Sequence, residues 1–130
     1  MDVNLFFCKH ADTNEEGQLN MLGIFNELYA PGFPARQDLL VIAGIIEWDK
    51  QQEGKIPFEI HLTDEQGKSI FTIQGHSEVD PRSKNQPPAK TQLLMPIEKC
   101  VFPEAGCYRA ECLVAGKNFS GPALYLMRTE

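Results

Sequence analysis

The sequence predicts an all-β domain, with about eight strands in two antiparallel sheets packed as a β-sandwich. Three observations carry that expectation. Short apolar segments recur along the 130 residues with turn signals between them. One of them, KIPFEIHLT, alternates apolar and polar positions with a strict period of two. Almost nowhere do apolar residues recur at the three- and four-residue spacing of a helix.

The first segment is Val3 to Cys8, closed by the turn TNEEGQ. Leu19 to Tyr29 reads as a second strand. YAPGFPA, Tyr29 to Ala35, then turns the chain: Pro31 and Pro34 fix its path, and Tyr29 and Phe33 are expected to lie down as a lid. Leu39 to Trp48 is the third strand and DKQQEG its turn. In the fourth, Ile56, Phe58, Ile60 and Leu62 alternate with Pro57, Glu59, His61 and Thr63, so one face meets a core and the other water. TDEQGKS is a hairpin turn, and Lys68 to Gln74 returns from it.

Asp80 to Lys90 holds three prolines and no large apolar side chain, and is expected to be a mobile loop. Thr91 to Val101 resumes strand character, FPEAG turns, and Cys107 to Ala115 alternates again. Gly116 and Lys117 connect to the last strand, Asn118 to Met127. Proline has no N–H to give a ladder, so Pro57, Pro96 and Pro122 each require a strand start, an edge or a bulge.

The bulk properties describe one domain, residues 1–130. A net charge of -6 repels phosphate backbones, and the nearest basic grouping, Arg82, Lys84 and Lys90, is spread over a polar loop. Nucleic acid is therefore not an expected partner. MDVNLFFCKHAD lacks the basic start of a secretory signal. The longest apolar run, LLVIAGII, has eight residues, against roughly 20 needed to span a bilayer. A cytoplasmic protein without membrane contact is expected.

The pattern ADTNEEGQLNMLGIFNELYAPGFPA, the DEQGK hairpin and FPEAGCYRAECLVAGK together resemble a family of small uncharacterised bacterial proteins known only as a domain of unknown function. The resemblance covers nearly the whole chain. The last stretch is also similar to the closing strands of immunoglobulin-like and C2-like sandwiches. What this implies is fold; it supplies no activity and no site residues.

Chemistry-bearing constellations are sparse. Cys8, His10 and Asp12 form a C-x-H-x-D run that one strand face could present to a metal, but no second His or Cys cluster completes a site. His76 with Glu78 and Asp80, and His61 with Glu65, are weaker versions of the same pattern. Asp12, Glu15 and Glu16, and separately Asp64 and Glu65, make acidic turns without EF-hand spacing. The four cysteines contain no CxxC pair, and Cys107 and Cys112 point to opposite faces of one strand; all four are expected to be reduced. No GxSxG elbow and no phosphate-binding glycine pattern is present. The expectation is a protein without enzymatic activity, cofactor or resident metal.

What remains is surface. Leu39 to Ile46 is apolar at both parities, whereas a half-solvated strand alternates. Something must cover the outer face of at least one sheet. The sequence offers Tyr29, Phe33, Leu40, Ile42, Ile46 and Trp48 as a candidate interaction surface, covered by the chain itself or by a protein partner, a second copy giving a homodimer. A binding or scaffolding module follows. The alternative is a small-ligand or carbohydrate-binding sandwich with Tyr29, Phe33 and Trp48 as stacking platforms; an enzyme of unknown class is the third reading.

Overall fold

The computed structural model describes residues 1–129 and is all-β there, with no helix among the described residues. Its strands are β1 (Asp2–Thr13), β2 (Leu19–Ile24), β3 (Glu27–Ala30), β4 (Ala35–Glu47), β5 (Gly54–Thr63), β6 (Ser69–Val79), β7 (Lys90–Phe102), β8 (Gly106–Val114) and β9 (Lys117–Arg128). They form a four-stranded sheet ordered β2-β1-β4-β7 and a five-stranded sheet ordered β3-β9-β8-β5-β6.

Two details depart from the sequence expectation. The run Leu19–Tyr29 is two strands, and the second of them pairs in parallel, so the sheets are not wholly antiparallel. The break is a change of sheet. The Phe25 N–H donates to Phe7 O (2.9 Å) in the first sheet, while Asn26 O accepts from the Tyr125 N–H (2.8 Å) in the second. β3 then runs alongside β9, Glu27 opposite Tyr125. One peptide step carries the chain across.

Two hairpins share one turn chemistry. Asn14 Oδ1 accepts the N–H groups of Glu16 and Gln18, and Asp64 Oδ1 accepts those of Gln66 and Lys68. An Asx side chain opens each turn and a left-handed glycine closes it, Gly17 at φ 77 and Gly67 at φ 82.

The prolines fall where their missing N–H is harmless. Pro57 O accepts from the Ala115 N–H, so the nitrogen side of Pro57 faces the β8–β9 turn, where no ladder carbonyl waits. Pro122 lies at the register shift between Arg109 and Glu111. Pro96 is on the edge strand β7. The Trp48 N–H donates to Ala89 O (2.9 Å), which makes Ile42–Met95 a ladder-bonded pair and Val41–Pro96 a non-bonded one. The nitrogen of Pro96 therefore lies on the free edge.

Side chains of both sheets meet in one apolar core. Leu5, Phe7, Leu40, Ile42 and Ile46 come from the four-stranded sheet; Ile60, Leu62, Ala110, Cys112, Val114 and Leu124 come from the five-stranded sheet. Each fully buried large aliphatic stabilises the fold by about 1.5–3 kcal/mol relative to exposure. Gly44 lets β1 close on β4, since a Cβ there would sit 1.9 Å from Asn4 O. Of the expected loop 80–90, residues 80–89 form no strand while Lys90 already opens β7; Ala89 is buried and Lys84 O accepts from Lys50 Nζ.

Candidate interaction surface

The residues proposed from sequence separate into three environments. Leu40, Ile42 and Ile46 are 0% exposed and Trp48 is 1% exposed, all inside the core. This corrects their assignment to a surface. The even-numbered residues of β4 point toward the other sheet, and the strand ends by burying Trp48 beneath the residues before β7. Phe33 packs against the main core, with the Arg128 guanidinium 6.0 Å from its ring centre. Tyr29 does not. It is exposed, and its hydroxyl donates to Glu27 Oε2 (3.2 Å), a hydrogen bond that raises its pKa. The three rings of the carbohydrate reading are thus never presented together, and Trp48 is closed to any ligand.

The apolar outer face belongs to the other parity. Val41, Ala43 and Ile45 of β4 face outward, with Phe6 opposite Ala43 and Cys8 opposite Val41 on β1, and with Leu94 opposite Ala43 on β7. Part of this face is covered by the chain itself, though by a segment other than the proline-rich turn. The distal half of the β1–β2 hairpin folds back across the sheet. Ala11, Leu19 and Met21 close over Cys8, Val41 and Ala43 in a second small cluster apart from the main core. Burial there pushes the Cys8 thiol pKa up. The arm is fastened at its far end by one side chain: Gln92 Nε2 donates to Gly17 O (2.6 Å) and Gln92 Oε1 accepts from Thr13 Oγ1 (3.3 Å). Gly23, at φ 69 and with the Lys9 side chain 3.2 Å from where a Cβ would stand, is the elbow.

The rest of the face is open. Eight large apolar side chains are exposed among the described residues, and six of them, Phe6, Leu22, Ile24, Leu39, Leu94 and Val101, lie on the four-stranded sheet. The other two, Tyr29 and Tyr125, carry hydroxyls. Phe6 and Ile24 also line a notch of ≈ 240 Å³ with Phe7, Phe25, Asn26 and Pro122. Nearby charges are paired locally, Arg36 with Asp38 (3.1 Å) and Lys90 with Glu47 (3.7 Å).

The outer face of the five-stranded sheet has the opposite character. His61 Nε2 lies 3.1 Å from Glu59 Oε2 and its Nδ1 2.8 Å from Thr72 Oγ1; Gln74 Nε2 donates to Glu59 Oε1 (2.8 Å). On the next strands Ser120 Oγ donates to Glu111 Oε1 and Arg109 to Gly121 O. These polar groups are spent on one another.

The metal-like runs are pulled apart in the same way. Cys8 is buried under the hairpin arm while His10 and Asp12 are exposed and pair with each other at 3.4 Å. Glu65 turns away from His61 and accepts the Cys107 N–H (2.8 Å). His76 and Glu78 lie exposed along β6. Among the described residues no three His, Cys, Asp or Glu side chains converge on a point that could hold a metal ion. No helix there is long and apolar enough to cross a membrane.

Comparison with curated proteins finds no match. The FPEAGCYRAECLVAGK and GQLNMLGIF stretches that suggested a family of unknown function lie within a family model that matches residues 4–126. The chain belongs to that family, the family of unknown function DUF6941.

Proposed function

We propose that the protein is a non-enzymatic β-sandwich binding module, immunoglobulin-like in its connections, that docks a protein partner on the outer face of its four-stranded sheet. A second copy of the chain is the partner that needs only one self-complementary patch. The observation that carries the reading is the segregation of exposed large apolar residues, six of eight on that one sheet. Exposed apolar groups gathered on one face mark interaction surfaces, whereas scattered ones do not.

The immunoglobulin-like assignment draws support from pairing. β4 pairs with β7 in one sheet, and β5, β8 and β9 pair in the other, which parallels the B–E and C–F–G arrangement. The Tyr108 hydroxyl donates to Glu104 O (2.6 Å), four residues upstream at the entry to β8, in the manner of a tyrosine corner. The inter-sheet disulfide of antibody domains has no counterpart, since all four cysteines are free.

Sedimentation at micromolar concentration tests the docking reading. Wild-type protein should self-associate, and Leu39→Asp combined with Ile24→Lys should return it to a monomer with an unchanged fold. A strictly monomeric wild type that binds no hydrophobic dye would overturn it.

A further inference from the structure

We infer that the β1–β2 hairpin arm is a detachable strap, which opens without unfolding the core and enlarges the apolar face when it lifts. This rests on the reading of that face as a docking surface, whose regulation it supplies.

The arm is held differently from the rest of the fold. Its cluster is separate from the main core, and the arm's own members of it are Ala11, which is small, and Leu19 and Met21, which are only partly buried. Burial of small side chains stabilises little per residue. The far end is fastened through a single exposed residue, Gln92, which makes both bonds to the arm. The elbow is Gly23, whose left-handed φ of 69 leaves the backbone free to swing where other residues resist it. Lifting the arm costs one satellite cluster and two hydrogen bonds, and it leaves Leu40, Ile42 and Ile46 on the opposite side of β4 packed as before. Segments with these properties open locally at a free energy below that of global unfolding. The gain in surface is specific: Val41 and Ala43, 4% and 0% exposed, lie on the outer face that already carries exposed Leu39 and Leu94.

The cysteines report the event directly. Cys8 lies under the strap, Cys100 and Cys112 lie in the main core, and Cys107 is half-exposed. Native protein is treated with N-ethylmaleimide and each thiol followed by peptide mass spectrometry, with Trp48 fluorescence reporting global unfolding. Cys107 should label first, Cys8 next, and Cys100 and Cys112 only as fast as the protein unfolds. Gln92→Ala should speed Cys8 labelling on the order of ten-fold while leaving Cys100 and Cys112 unchanged. Labelling of Cys8 in step with Cys100 and Cys112, or indifference of Cys8 to Gln92→Ala, would overturn the strap. No partner takes part in this measurement, so loss of the docking reading by sedimentation and loss of the strap are separate results.

Discussion

The indole N–H of Trp48 donates to Thr91 Oγ1 at 2.8 Å, and the same oxygen lies 2.6 Å from Ser77 Oγ. Trp48 directly follows β4, Thr91 is the second residue of β7 and Ser77 lies on β6, so three side chains tie the two sheets together at one corner. The buried indole and hydroxyls satisfy one another, and each would be stranded without its neighbour.

Thr91→Val therefore should destabilise the protein by about 1–3 kcal/mol, because it leaves the Trp48 N–H and the Ser77 hydroxyl unpaired at nearly constant volume. Urea unfolding followed by Trp48 fluorescence measures it. The double variant with Ser77→Ala should cost less than the sum of the two single changes.

Adjacent residues of β4 should respond in opposite ways to the same substitution. Leu40 is fully buried and Leu39 is exposed. Leu40→Asp places a carboxylate in the core and should prevent folding, whereas Leu39→Asp should change stability by about 0.5 kcal/mol or less. Circular dichroism and thermal melts separate the two outcomes.

On β5 the Phe58 ring lies over Gly75 of β6, where an added Cβ would meet Phe58 Cζ at 2.9 Å. Gly75→Ala should destabilise by about 1–3 kcal/mol through overpacking, and pairing it with Phe58→Leu should recover part of the loss. Ile60→Ala should cost about 2–5 kcal/mol, and Glu59→Ala, on the polar face, less than about 1 kcal/mol.

Burial pushes the thiols of Cys100 and Cys112 up from 9.0 to about 11. Between those values the unfolded chain has lost protons that the folded chain keeps. The stability these neutral thiols contribute is complete below pH 9 and is lost as pH rises through about 11, on the order of 2 kcal/mol per thiol. Urea midpoints at pH 8 and pH 10.5 should differ accordingly, and Cys100→Ala with Cys112→Ala should flatten that part of the dependence.

The elements most legible in the sequence were those whose signals are local. Alternation over Ile56–Leu62 and the turns around Gly17 and Gly67 each follow from a few neighbouring residues. Proline chemistry was equally readable: Pro96 is at an edge and Pro122 at a bulge. The far half of β6 was hidden, because the inward positions Gly75 and Ser77 are not apolar. The change of sheet at Phe25–Asn26 carries no proline or glycine, so nothing marked it. The interaction surface failed for a related reason. LLVIAGII is apolar at both parities, and sequence alone does not say which parity looks inward; Leu40, Ile42 and Ile46 do. The covering arm depends on Gln92, some 75 residues from Gly17, a distance over which no local pattern speaks.

The hydrogen-bonded face around His61, Glu59 and Thr72 gives the molecule a front and a back. In the proposed pair two fronts would join through the apolar outer face of the four-stranded sheet, leaving outward the backs, where His61, Glu59 and Thr72 already satisfy one another. Growth would then stop at a pair, with no tendency to lengthen into stacks or fibres.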